Sequence, residues 1–178
     1  TAISANDKTY DGTIAATINA TLVGVIAPDA ITLVATGEFE NNFQTITLAL
    51  PHNIINVDFS LSGTAEAIAN YTLIDPNATG LTADIFPKAL TVSNADAQDK
   101  PFDGNTDAVV TGDLNGVIEP DMVTLISSGV FASSAIDTNI PVTPSWSIDG
   151  DTFNYTLTEP TVSLTANIFD ESAPSITS

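Results

Sequence analysis

A ten-residue run, GVIAPDAITL at residues 24–33, returns as GVIEPDMVTL at residues 116–125. Repetition of this length constrains the fold before any element is assigned, because each copy must bury its own apolar face in the same manner. The echo extends to both sides. DKTYDGT, residues 7–13, and DKPFDGN, residues 99–105, stand at the same separation of 92 residues, and Gly37 and Phe39 return as Gly129 and Phe131. The separation then shortens: NYTLIDP (70–76) matches NYTLTEP (154–160), and LTADIF (81–86) matches LTANIF (164–169). The second copy is therefore about eight residues shorter between Phe131 and Asn154, which points to a trimmed loop or strand edge.

Two homologous domains follow, residues 1–87 and 88–178, each within the range of small independent β domains. The junction PKALTV, residues 87–92, has no linker character. Leu90 and Val92 alternate with polar neighbours as a first strand would, so the domains should join strand to strand, stiffly rather than through a flexible tether.

Within each copy the apolar period is two. Ile31, Leu33 and Ala35 alternate with Thr32, Val34 and Thr36; Ile46, Leu48 and Leu50, then Val57, Phe59 and Leu61, then Leu81, Ala83 and Ile85 continue the pattern. The second copy answers with Val123 and Leu125, Tyr155 and Leu157, and Val162, Leu164, Ala166 and Ile168. Such runs are strands with one buried face, typical of antiparallel sheets. The only helical candidates are GTAEAIAN, residues 63–70, and a turn near Pro28. The fold class is all-β: two tandem domains, each an antiparallel or mixed β-sandwich. The alternative is a β-grasp-like sheet around one short helix.

Three Lys, no Arg and 22 acidic residues give a net charge of −19. That surface repels nucleic acid and anionic lipid, so neither is an expected partner, whereas cations such as Ca²⁺ are favoured. Cysteine is absent, which removes disulfides, thiolate metal sites and a Cys nucleophile. No stretch of eighteen apolar residues exists to cross a membrane as a helix. A chain that starts at Thr1 reads as a piece of something longer.

The recurring residues resemble a known family. KTYDGT, GVIAPDAITLVATGEF, SLSGTAEAIANYTL and LTADIFPKALTV, in that order, are similar to the YDG-type repeat of large bacterial haemagglutinin- and adhesin-like surface proteins. The second copy matches with Phe102 in place of the family's Tyr. The resemblance implies an extracellular or surface-attached, mostly β stalk that projects a distal binding domain. Its partners would be neighbouring repeats of the same polypeptide, with carbohydrate or a cell-surface protein as further ligands. It implies no catalytic residues.

The residues themselves point the same way. In Tyr10-Asp11-Gly12 and Phe102-Asp103-Gly104, Asp can cap backbone amides, Gly can adopt positive φ, and the aromatic should plug the core beside the turn. Loss of the hydroxyl between copies argues for a structural motif. Lys8 and Lys100 are equivalent and should pair with a turn Asp. Oxygen ligands for calcium could come from Asp149 and Asp151, from Asp75, or from the equivalent Asp29 and Asp121, although none matches an EF-hand spacing. Trp146 is the one aromatic suited to be a sugar platform; Ile148 two residues on argues for a core position instead. His52 is the only His, has no counterpart in the second copy, and should be surface rather than a general base. An enzyme is not expected. The leading alternative to a stalk is a ligand-binding module with acidic, calcium-binding loops.

Overall fold

Branched Thr, Val and Ile fit a half-buried pleated surface, and the alternating runs are strands. The computed structural model describes residues 3–43, 51–74, 76 and 78–171. The expected strand of Ile46, Leu48 and Leu50, and the candidate ligand Asp75, lie outside the described residues. The chain divides into two units, Thr1–Lys88 and Ala89–Ser178.

The first unit comprises β1 (Ser4–Ala5), β2 (Lys8–Thr9), β3 (Ala15–Asn19), β4 (Thr32–Phe39), β5 (His52–Ser62), α1 (Ala65–Ile68), β6 (Thr82–Ala83) and β7 (Ile85–Phe86). An antiparallel sheet runs β1-β3-β4-β5-β6, while β2 pairs with β7 in parallel. The short helix falls inside the anticipated GTAEAIAN segment. Its amide at Ala67 donates to the Thr64 hydroxyl at 3.3 Å, an N-cap that starts the turn.

The second unit comprises β8 (Lys88–Ala97), β9 (Lys100–Pro101), β10 (Asp107–Ala108), β11 (Val110–Asn115), β12 (Val123–Phe131), β13 (Asp137–Gly150), β14 (Tyr155–Thr158) and β15 (Leu164–Phe169). One sheet runs β10-β12-β13-β15-β9, with β9 parallel to β15; the other runs β11-β8-β14, with β8 in the middle. Val92 and Ala97 of β8 share one buried cluster with Phe131, Val142, Trp146, Leu164 and Ile168 of the larger sheet. Two sheets closing on one apolar layer make a β-sandwich. Only Pro87 separates β7 from β8.

The shortening of the second copy is spread over several places rather than taken from one loop. The segment joining β12 to β13 is contracted, and a single 3-10 turn, Thr152–Asn154, stands where the first unit has α1. β5 also carries a bulge against β4 that β13 lacks against β12. At that bulge Asn56 takes φ 50° and its amide donates to Glu38 at 2.6 Å. Asn94 repeats the device at the bulge between β8 and β11, donating to Asp113 at 2.7 Å. Asn tolerates the left-handed region better than other non-Gly residues, which suits it to the extra residue of a bulge.

Candidate functional site

The Asp-Gly turn is built alike in both units. Gly12 and Gly104 take φ of 79° and 82°, a conformation that a Cβ would strain. Asp11 Oδ1 accepts from the Thr13 amide at 2.9 Å, and Asp103 Oδ1 accepts from the Asn105 amide at 3.0 Å. These are Asx turns, closed by the side chain two residues before the amide. Lys8 then reaches across from β2, donating to Asp11 Oδ1 at 2.8 Å, the Thr13 carbonyl at 2.7 Å and the Ala15 carbonyl at 3.1 Å. Lys100 does the same from β9, to Asp103 Oδ1 at 2.8 Å and to the Asn105 carbonyl at 3.0 Å. Each ammonium also lies over an aromatic face, 5.3 Å from the centre of Phe39 and 5.7 Å from that of Phe131.

The electrostatics follow from these bonds. Burial pushes the Asp11 carboxyl up, but hydrogen bonds from Lys8 and Thr13 outweigh it and hold the group below its ordinary value. The Lys100 hydrogen bond does most to lower Asp103, helped by the Asn105 amide. The lysine closes the turn onto its own backbone, with its side chain largely covered.

The aromatic of the motif does not behave alike in the two copies. Tyr10 is 4% exposed, as a core plug should be, whereas Phe102 is 53% exposed. The segment after β4 folds back over the first turn, where Asn42 donates to the Gly12 carbonyl at 3.1 Å. The connection after β12 opens on the same backbone bond as its counterpart, Ala132 to the Pro141 carbonyl at 2.8 Å beside Glu40 to the Asn53 carbonyl at 3.1 Å. It is contracted, however, to residues 132–136 before β13 begins. The expectation that Phe102 plugs the core is corrected on that ground.

A second constellation joins residues that the sequence left apart. The Tyr71 hydroxyl donates to Asp29 Oδ2 at 2.8 Å and accepts from the Ile26 amide at 3.0 Å. The Tyr155 hydroxyl donates to Asp121 Oδ2 at 2.7 Å and accepts from the Ile118 amide at 3.0 Å. Each tyrosine thereby pins the turn of the repeated GVI-x-PD run, in which Ala27-Pro28 and Glu119-Pro120 are cis. Burial raises the Tyr155 hydroxyl above its ordinary value, and the hydrogen bond to Asp121 adds to the rise. Recurrence of PD and NYT together in both copies was the available signal for this pairing.

The remaining candidates separate. Asp151 accepts from the Met122 amide at 2.9 Å and its own amide donates to the Met122 carbonyl at 2.9 Å, a two-way latch between turns. Asp149 lies on β13 opposite Thr124. Among the described residues no three His, Asp or Glu side chains gather at metal-binding spacing. Trp146 is no sugar platform: it is 6% exposed, and a Cβ built on Gly112 would sit 3.3 Å from its ring. Its place on the inward face of β13 explains the burial.

His52 also departs from expectation, being 5% exposed rather than on the surface. It opens β5 opposite Ala83, as Ile140 stands opposite Ala166, so it fills an apolar core position. Its Nε2 meets the Phe43 carbonyl at 2.6 Å and its Nδ1 lies 3.5 Å from Glu40, while its ring stands edge-on to Phe39. The Asn53 side-chain amide is the main reason that the Glu40 carboxyl sits below its ordinary value, with His52 contributing.

The family model of the YDG domain matches the chain twice, over residues 1–80 and 86–163. No curated protein and no solved structure matches it.

Proposed function

The chain belongs to the YDG domain family, as two tandem copies, and from this we propose that it forms non-enzymatic spacer repeats of a bacterial surface adhesin. The repeats stand outside the cell and hold a distal binding domain away from it. One observation carries the reading: the polar residues written into both copies are committed to hydrogen bonds within their own repeat. Asp11 and Asp103 close turns onto Lys8 and Lys100, while Asp29 and Asp121 hold Tyr71 and Tyr155. What has been duplicated is the means of building a module. The single residue between β7 and β8 supports the same reading, because modules joined this closely suit serial repetition.

The test is an exchange. In the surface protein that carries them, both repeats are replaced by two unrelated β domains of similar length. A spacer tolerates this with adhesion retained; loss of adhesion, with display at the surface unchanged, overturns the proposal.

A second reading has one observation in its favour. With 22 acidic residues against three Lys, most carboxylates have no lysine to pair with, and acidic loops could hold calcium and grip a carbohydrate or protein. A ligand that binds only the folded chain must stabilise it. Melting in millimolar Ca²⁺ and in EDTA is expected to give the same Tm for spacer repeats. A calcium-dependent rise would favour the binding module.

A further inference from the structure

The second repeat has a strand where the first has a groove. In the second, β8 lies between β11 and β14, and Leu90 and Val92 are buried, Leu90 completely. The matching flanks of the first repeat, residues 20–25 and 71–74, belong to no strand. Between them runs an apolar groove of 370 Å³, lined among others by Leu22, Val25, Leu33, Leu61, Tyr71 and Leu73. Tyr155 is buried in the second repeat, yet its equivalent Tyr71 is only half-buried.

Register makes the correspondence specific. Ala5 pairs with Ile18 and Ser4 with Asn19, as Ala97 pairs with Val110 and Asp96 with Thr111. In the second repeat the ladder continues, with Ser93 opposite Asp113, Val92 opposite Leu114 and Thr91 opposite Asn115. In the first, Thr21, Leu22 and Val23 occupy the positions of Asp113, Leu114 and Asn115, and Thr21–Val23 line the groove instead.

We propose that this groove is a strand-binding site. Its occupant is an extended segment of the alternating class of residues 88–93, KALTVS, leading into β1 as the exit of another repeat of the same polypeptide. The inference rests on the tandem-repeat reading above and names the contact by which such repeats would be joined. The bound strand meets backbone donors and acceptors on both flanks and sets two apolar side chains, spaced two apart, into the groove. A second copy of this chain is the poorer donor, because its own β8 is already engaged in the second repeat's core.

The test grafts PKALTV, the sequence of residues 87–92, directly ahead of Thr1, which places its Val opposite Leu22. The expected result is at least tenfold slower amide exchange across residues 20–25 and 71–74, with a higher Tm for the first repeat. A control graft, PKADTD, has the same length with Asp at both apolar positions and should give neither effect. Equal protection from both grafts, or none from PKALTV, overturns the proposal. Concentration-dependent dimerisation of the ungrafted chain that protects the same amides would overturn the assigned source. A spacer exchange that abolishes adhesion leaves these exchange rates untouched, so the two readings fail separately.

Discussion

The two repeats share their latches and differ in their interiors. Both close the Asp-Gly turn with a lysine, and both pin the PD turn with a tyrosine hydroxyl, with distances that agree to about a tenth of an ångström. The side chains filling the space between are not held constant. Phe59 lies opposite Ala35, whereas Trp146 lies opposite the equivalent Ser127; His52 stands where the second repeat has Ile140. Loops need one geometry and so one chemistry, whereas an apolar layer accepts any set of side chains that fills it.

Truncation inside the filled sandwich should be the most damaging change. Trp146→Ala is expected to cost about 3–5 kcal/mol, measured by denaturant unfolding followed by circular dichroism. Phe59→Ala should cost less, since the ring removed is smaller and slightly more exposed, 9% against 6% for Trp146. An equal loss would mean that the second interior is no better packed than the first.

Overpacking should separate the repeats next. A Cβ on Gly129 would lie 2.5 Å from Val110 Cγ2, a stiff branched side chain, while one on Gly37 would lie 2.8 Å from the distal Cδ1 of Ile18. Gly129→Ala is expected to cost about 1–3 kcal/mol and Gly37→Ala somewhat less, because its nearest contact is the movable Ile18 Cδ1, while Ile18 Cγ1 at 2.9 Å and Ile54 Cγ2 at 3.1 Å must also give. Fluorescence of Trp146, the chain's single tryptophan, reports the second repeat directly.

The tyrosine pins offer a finer comparison. Tyr155→Phe leaves Asp121 and the Ile118 amide without this partner, at a cost of about 1–2 kcal/mol, and the less buried Tyr71→Phe should cost less. The hydroxyl of Tyr155 is raised above 10.0, so its stabilisation is complete below that pH and is lost as pH rises through the higher folded value. Alkaline melts of Tyr155→Phe should lack that part of the loss.

The smallest effects belong to the lysine turns. Asp11 and Asp103 are lowered below 3.8, so their contribution is present above that pH and is lost as pH falls through the lower folded values. Asp11→Asn and Asp103→Asn should each flatten the acid limb of the stability profile by a similar, modest amount. A much steeper dependence on one of them would show that the turns are not equivalent.

Much of this architecture could be read without coordinates. The repeat, the alternating strands, the short helix and the Asp-Gly turn are local signals, carried within a few neighbouring residues. The tyrosine pins are not, because their partners lie 42 and 34 residues apart. Burial of His52 escaped for a related reason: only the pairing of β5 with β6 reveals that its position is an interior one. Phe102 misled because its exposure depends on a connection shortened some thirty residues downstream, which local pattern does not register. The groove needed both repeats folded before its correspondence to the place of β8 could be seen.

One pairing described above has a mechanical meaning. The second strand of each repeat lies parallel to its last described strand: Lys8 beside Ile85, and Lys100 beside Ile168. Their amides and carbonyls are joined by Lys8 to Asp84, Tyr10 to Phe86 and Phe102 to Phe169, at 2.8–3.0 Å. Tension along the chain draws two parallel neighbours in opposite directions, sliding one along the other. The bonds between them are then loaded in shear, all at once, where an antiparallel hairpin would unzip one bond at a time. Under load, resistance is governed by the rate of forced unfolding, and this arrangement places a parallel pair, one strand near the start of each repeat and one at its end, across the line of pull.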